Sequence, residues 1–242
     1  MMKKLLSLPI FLFVFTGLFG QNFELYTDNF ESGLSGIWTL ESNSAVNNWI
    51  LNTCAGNGNS LPGSQSLYVS KGGVDPDCGA NGMYQYAYEN DPFGSSSCQA
   101  ILRIPNNCSF NLNLSLDHKI GGDLNDYLEV LYSIDLGATY QLLFVVSPSL
   151  DWQTTSIPLP SQTDFNPFYL KFDFHFNDAD IIGNPAAIDN IIITGTDNED
   201  PVIVCPDNMT VSVDDNCIYN IREYLSDALI SDNCSDISKL TI

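Results

Sequence analysis

Basic residues are what this sequence most lacks. Eight Lys and Arg stand against 29 Asp and Glu in 242 residues, a formal net charge of −21. Such a chain cannot assemble the clustered Lys or Arg that a phosphate backbone demands, which excludes nucleic acid and anionic membrane surfaces as partners. Histidine occurs twice, as His118 and His175, and no C-x-x-C pair is present, so the usual ligand sets for zinc are missing. There is no H-E-x-x-H, no G-x-S-x-G and no Gly-rich phosphate loop; "AGNGN" (55–59) precedes no helical pattern and carries no Lys. Acids are so numerous that any two of them specify no glycosidase without distances. A non-catalytic chain is expected.

Long apolar runs are also scarce. The exception is the N-terminus, where Lys3 and Lys4 precede an apolar run from Leu5 to Phe19, interrupted by Pro9 and followed by Gly20. The run is short for a bilayer span and has the layout of a secretory signal peptide occupying residues 1–20, with cleavage expected at Gly20–Gln21. The rest of the chain is then expected to be secreted, extracellular or at the cell surface, without a membrane span. In that compartment the seven cysteines default to disulfides. Cys54, Cys78, Cys98 and Cys108 allow three pairings, of which the sequential one (Cys54–Cys78 with Cys98–Cys108) is the preferred expectation. Cys205, Cys217 and Cys234 form an odd group near the end.

Helical periodicity is the last absence. Short strand patterns dominate, separated by Gly, Asn, Asp, Ser and Pro. "SQSLYVS", "QAILRIP", "SFNLNLSLDHKI", "DYLEVLYSID", "YQLLFVVS", "TTSIPLP", "FYLKFDFHF" and "DNIIITG" read as strands. In "FYLKFDFHF", Phe168, Leu170, Phe172, Phe174 and Phe176 share one face, and Tyr169, Lys171, Asp173 and His175 the other. One dry face and one wet face predict an all-β sandwich of antiparallel sheets. After Gly195, the acidic, turn-forming "TDNEDP" marks a boundary, giving one domain at 21–196 and a short segment at 197–242.

Four landmarks in order, "DNFESGLSGIW", "LSLDHKIGGDLNDYLEVLYS", "SLDWQTTSIPLP" and "FYLKFDFHFN…AAIDNIIITG", resemble the MAM-like jelly-roll modules of surface proteins, especially the choice-of-anchor or cleaved-adhesin type. The tail, through "DPVIVCPDN" and "SDNCS", is similar to the start of a hyalin-type (HYR) immunoglobulin-like repeat. The resemblance implies an antiparallel jelly-roll β-sandwich followed by an incomplete immunoglobulin-like sandwich, as the N-terminal fragment of a longer multi-module adhesion protein. For the tail it implies a Cys217–Cys234 bond, leaving Cys205 without its partner; a Cys205 bond in trans or to another cysteine is the alternative.

In such jelly rolls the first and last strands are neighbours, and the resemblance implies a structural calcium site where they meet. Glu31 and Asp189 are the matched positions, with Asp28 and Asn177 as further candidates. Calcium takes six to eight hard oxygens, and cationic partners for these acids are few. The plain alternative makes Asp28 and Glu31 turn acids and Asp189 an exposed strand opener. The partner expected is a cell-surface protein or a glycan, together with further domains of the same longer chain. For a glycan, Trp49, Tyr86 and Trp152 are the candidate stacking faces, although tyrosines at spacing two also serve to pack a half-buried strand. An accessory domain of an exported hydrolase is the remaining alternative.

Overall fold

Phenylalanines and leucines at every second position can all be kept dry only if a second sheet covers them. The chain does this with two antiparallel sheets. The computed structural model describes residues 22–44, 47–71, 96–121, 126–146, 148–176, 185–197, 199, 202–204 and 229–234. The first sheet contains β1 (Asn22–Asp28), β3 (Asn47–Asn52), β4 (Ser66–Lys71), β6 (Ser109–Ile120), β9 (Ser149–Pro158) and β11 (Ala187–Asp197). Its order is β3-β4-β11-β6-β9, with β1 also paired to β11. The second contains β2 (Trp38–Ser42), β5 (Ser96–Ile104), β7 (Tyr127–Ser133), β8 (Gln141–Val146) and β10 (Phe168–Phe176), in the order β2-β5-β10-β7-β8. This is the all-β, antiparallel jelly-roll sandwich expected from the sequence.

The core lies between the sheets. From the second come Cys98, Ala100, Leu102 and Ile104 of β5 and the whole apolar face of β10; from the first come Leu112, Leu114 and Leu116 of β6 and Ile188, Ile191 and Ile193 of β11. Trp38 is part of this core, and its indole N–H donates to Asp28 Oδ2 at 2.9 Å. Burying each such side chain contributes about 1.5–3 kcal/mol. Asn106, fully buried, ties the turn after β5 to the rest of the sheet end: its Nδ2 donates to Ser109 O and Thr163 O, and its Oδ1 accepts from Ser109 N and Oγ.

β11 is the strand on which the first sheet is built. It pairs with β6 along one edge; along the other it pairs with β4 at Ala187–Ile188 and with β1 from Ile191 to Thr196. First and last strands of the sandwich are therefore neighbours. The β11–β6 ladder slips between Asp189 and Ile192, where three steps on β11 match two on β6. Asn190 sits in that bulge at φ 48°, a left-handed conformation that Asn tolerates better than most residues.

The disulfides differ from expectation in two places. Cys108 is bonded to Cys234, with Cα atoms 5.5 Å apart, and Cys98 is a buried thiol whose sulfur lies 3.3 Å from Asn47 O. The expected Cys98–Cys108 bond fails because Cys98 sits near the start of β5 and Cys108 follows its far end. The six residue steps from Cys98 to Ile104 span about 20 Å, whereas a disulfide needs Cα atoms within about 7 Å. The expected Cys217–Cys234 bond is replaced because Cys234 is already taken. Cys54 is disulfide-bonded; Cys78, Cys205 and Cys217 lie outside the described residues. In the tail, β12 (Val202–Val204) pairs antiparallel with β13 (Leu229–Ser231).

Candidate functional site

The bulge in β11 determines the chemistry around it. Asp189 stands directly across from Asp117 of β6 in the sheet register, so two carboxylates are brought together on the outer face of the first sheet. Both are 0% exposed, because the segment between β3 and β4 folds over them. Gly58 N donates to Asp189 Oδ2 at 2.7 Å, and Ser60 N to Asp117 Oδ2 at 2.6 Å. The Ser60 and Thr154 hydroxyls donate to Asp117 Oδ1, and the Asn190 amide to Asp117 Oδ2 at 2.8 Å. Asn190 N closes the set on Asp189 Oδ1 at 2.7 Å.

A third carboxylate holds the other end of the same segment. Glu31, in the turn after β1, accepts the main-chain N–H groups of Ser64 and Gln65 at 2.6 and 2.7 Å. Two glycines make the approach possible. A Cβ on Gly58 would lie 2.6 Å from both Asn190 Nδ2 and Asp117 Oδ2. On Gly63 it would lie 2.5 Å from Glu31 Oε1 and 2.6 Å from Asn57 Oδ1.

Three acids thus clamp one strap, and among the described residues none of them has a Lys, Arg or His within ion-pair distance. Lys119, next along β6, turns elsewhere: its ammonium donates to Ala55 O and lies 4.8 Å over the Trp152 ring. The electrostatic consequence falls on Asp189. Burial, with added repulsion from Asp117 and Glu31, pushes its pKa up to about 6 against the hydrogen bonds from Gly58 and Asn190. Burial also raises Asp117, but its bonds from Thr154, Ser60 and Asn190 outweigh that and hold it below the ordinary carboxylate range. Glu31 is held low by the Gln65 and Ser64 N–H groups.

The donor set fits a hard cation. Beside the carboxylates lie Asn57 Oδ1 and Asn190 Oδ1, both buried and without a hydrogen-bond donor among the described residues. Among those residues no three His, Cys, Asp or Glu side chains form a metal-binding group. A cation here would therefore draw on amide oxygens as well as Glu31 and Asp189, the mixed oxygen environment that calcium accepts and softer metals do not.

The other sequence candidates are distributed differently. Asp28 faces its own turn, with Tyr26 OH and Trp38 Nε1 on Oδ2 and Phe30 N on Oδ1, so both its oxygens serve the core tryptophan and the chain reversal. Asn177 and Tyr86 lie outside the described residues. Trp49, expected as an exposed stacking face, is 2% exposed and belongs to the core, because its position in β3 alternates inward. Trp152 is half-buried and packs against Ala55, Tyr68 and Ala187 beneath Lys119. Sequence reasoning missed Asp117, Asn57, Asn190, Gly58 and Gly63. Asp117 had a signal: it stands on the polar side of the alternation in "LNLSLDHKI".

No protein-family model and no curated protein matches the chain. Solved structures of similar architecture include the K3 cleaved adhesin domain of Lys-gingipain from Porphyromonas gingivalis, at 13% identity and TM-score 0.43 over 71% of this chain and 99% of that one. Another is a family 11 carbohydrate-binding module from Clostridium thermocellum in complex with a mixed-linked tetrasaccharide, at 15% identity and TM-score 0.41 over 73% and 96%. A third is the module TmCBM61 in complex with β-1,4-galactotriose, at 9% identity and TM-score 0.44 over 68% and 92%.

Proposed function

We propose that this chain is a non-catalytic binding module of a secreted or cell-surface protein, with a structural calcium ion in the clasp that joins the turn after β1, the strap 53–65 and the bulge of β11. The observation that carries the calcium reading is Asp189: a buried carboxylate beside two others, with no cationic side chain among the described residues to neutralise it. An uncompensated buried charge is costly, and a divalent cation is the partner that suits an all-oxygen set. Glu31 and Asp189 would hold the ion, with Asn57 Oδ1 and Asn190 Oδ1 available to complete it, and its role would be to fix the strap.

The two imidazoles support a binding role over a catalytic one. His118 bonds Thr155 Oγ1 at 2.7 Å, but its Nδ1 has no hydrogen-bond partner among the described residues, so no acid orients it as a general base would need. Burial also lowers its pKa and keeps it neutral. His175 lies among carboxylates and a tyrosine ring, with no described hydroxyl or thiol bonded to it.

Thermal melting of the secreted chain with and without calcium tests the clasp. Calcium should raise Tm by several degrees at millimolar concentration, as any ligand of the native state does, and Asp189→Ala should abolish the shift. An identical melting curve in calcium and in chelator would overturn the reading.

A further inference from the structure

The outer face of the second sheet has an arrangement that the calcium clasp does not use. β10 is the central strand of that sheet, and its wet side carries Lys171, Asp173 and His175. Register sets Asp173 between Gln99 of β5 and Glu129 of β7, and His175 beside Tyr127. The Tyr127 and His175 rings stack at 4.7 Å and 16°. Tyr127 remains 37% exposed, whereas Asp173 on the same face is only 4% exposed.

The carboxylates of this face already have neighbours on the same face. Lys171 Nζ lies 3.2 Å from Asp173 Oδ2, which also accepts Gln99 Nε2 at 3.0 Å, and Glu129 Oε2 lies 3.4 Å from His175 Nε2. What is unsatisfied is hydrogen-bonding capacity. Asp173 Oδ1 and His175 Nε2 are buried atoms with no hydrogen-bond partner among the described residues, and they face each other at 3.7 Å, beyond hydrogen-bond reach. A buried polar atom without a partner is uncommon and costly.

We infer that this face binds a neutral glycan, with a sugar ring laid against Tyr127, a hydroxyl on Glu129, and a second hydroxyl reaching the shielded Asp173 and His175 atoms as the stacked Tyr127 and His175 rings shift aside. A hydroxyl is the group that meets both needs at once: it donates to the carboxylate oxygen while accepting from an imidazole N–H. An anionic ligand is disfavoured by the net charge of −21. A basic peptide would have to displace Lys171 and His175 from carboxylates they already accompany. Tyr127 supplies the flat, partly wet aromatic surface that an apolar sugar face covers. The inference rests on the reading of the chain as a binding module and names its ligand class and its face.

The full secreted chain, applied to an array of neutral, sulfated and sialylated oligosaccharides with basic peptides as a separate arm, tests it. Retention of at least one neutral oligosaccharide is expected. Tyr127→Ala and Asp173→Asn should each weaken that binding about tenfold or more. Leu150→Ala, on the first sheet and 71% exposed, should leave it unchanged. Should Asp173→Asn fail to fold, Tyr127→Ala at the rim decides alone. Retention only of acidic glycans or peptides, no retention at all, or neutral-glycan binding indifferent to Tyr127→Ala would each overturn the inference. Melting the same samples in calcium and in chelator separates the two readings: a calcium shift without glycan binding removes this inference alone, and glycan binding without a calcium shift removes the clasp alone.

Discussion

Asp189 is the one acid of the clasp whose pKa the fold raises. Its carboxyl titrates at about 6 in the native state, against about 3.9 when unfolded. A native pKa above the unfolded one means that the folded chain binds the proton more tightly. This group's stabilising contribution is therefore complete below about pH 4 and lost as pH rises through about 6. In chelator, Tm should climb by a few degrees between pH 7 and pH 5, and Asp189→Asn should flatten that segment. Glu31 and Asp117, whose pKa values are lowered, act with the opposite sign and only in more acidic solution, where their protonation loosens the strap. A wild-type melt that falls steadily from pH 7 to pH 5 in chelator would contradict the assignment of Asp189 as the unneutralised acid.

At the scale of elements, the strap between β3 and β4 depends on glycine at two points. Gly58→Ala would drive a methyl group into Asn190 and Asp117, and should destabilise the chain by about 1–3 kcal/mol. The same substitution should speed hydrogen exchange at Ser60, Ser64 and Gln65, whose N–H groups the acids hold. Unaltered exchange there would mean that the strap is fixed by something other than the clasp. How far such elements were legible in sequence depended on alternation. β6 and β10 matched "SFNLNLSLDHKI" and "FYLKFDFHF" residue for residue, because a strand with one dry face must repeat at two. β9 began five residues before "TTSIPLP", since Ser149–Gln153 lies at a sheet edge where neither side is fully buried and no pattern is enforced. The clasp was half legible. Glu31 and Asp189 could be paired only through the resemblance, which makes the first and last strands neighbours, and a bulge is one extra residue in a ladder that leaves no periodic trace. The carboxylate that Asp189 faces thus emerged only with the register. The Cys98–Cys108 bond was misread because neighbours in sequence were taken as neighbours in space, and the nine-residue β5 carries the chain from one end of the sheet to the other between them.

For the molecule as a whole, the Cys108–Cys234 bond ties the sandwich to the segment that follows it. Peptide mapping under non-reducing conditions should recover that linkage and leave Cys98 alkylatable only after denaturation. A Cys98–Cys108 peptide would refute the arrangement. The bond has a mechanical consequence. A load applied between the start of β1 and a point beyond Cys234 crosses the disulfide directly, so the intervening length of chain, a sequence separation of 126, carries no tension. That stretch, which includes β6, β10 and β11, would bear none of the load even after the strands outside it had given way. Reduction should release roughly 440 Å of extra contour length when single molecules are stretched. For a module held under shear at a surface, the crosslink sets how far it can be drawn out before its last strands are touched.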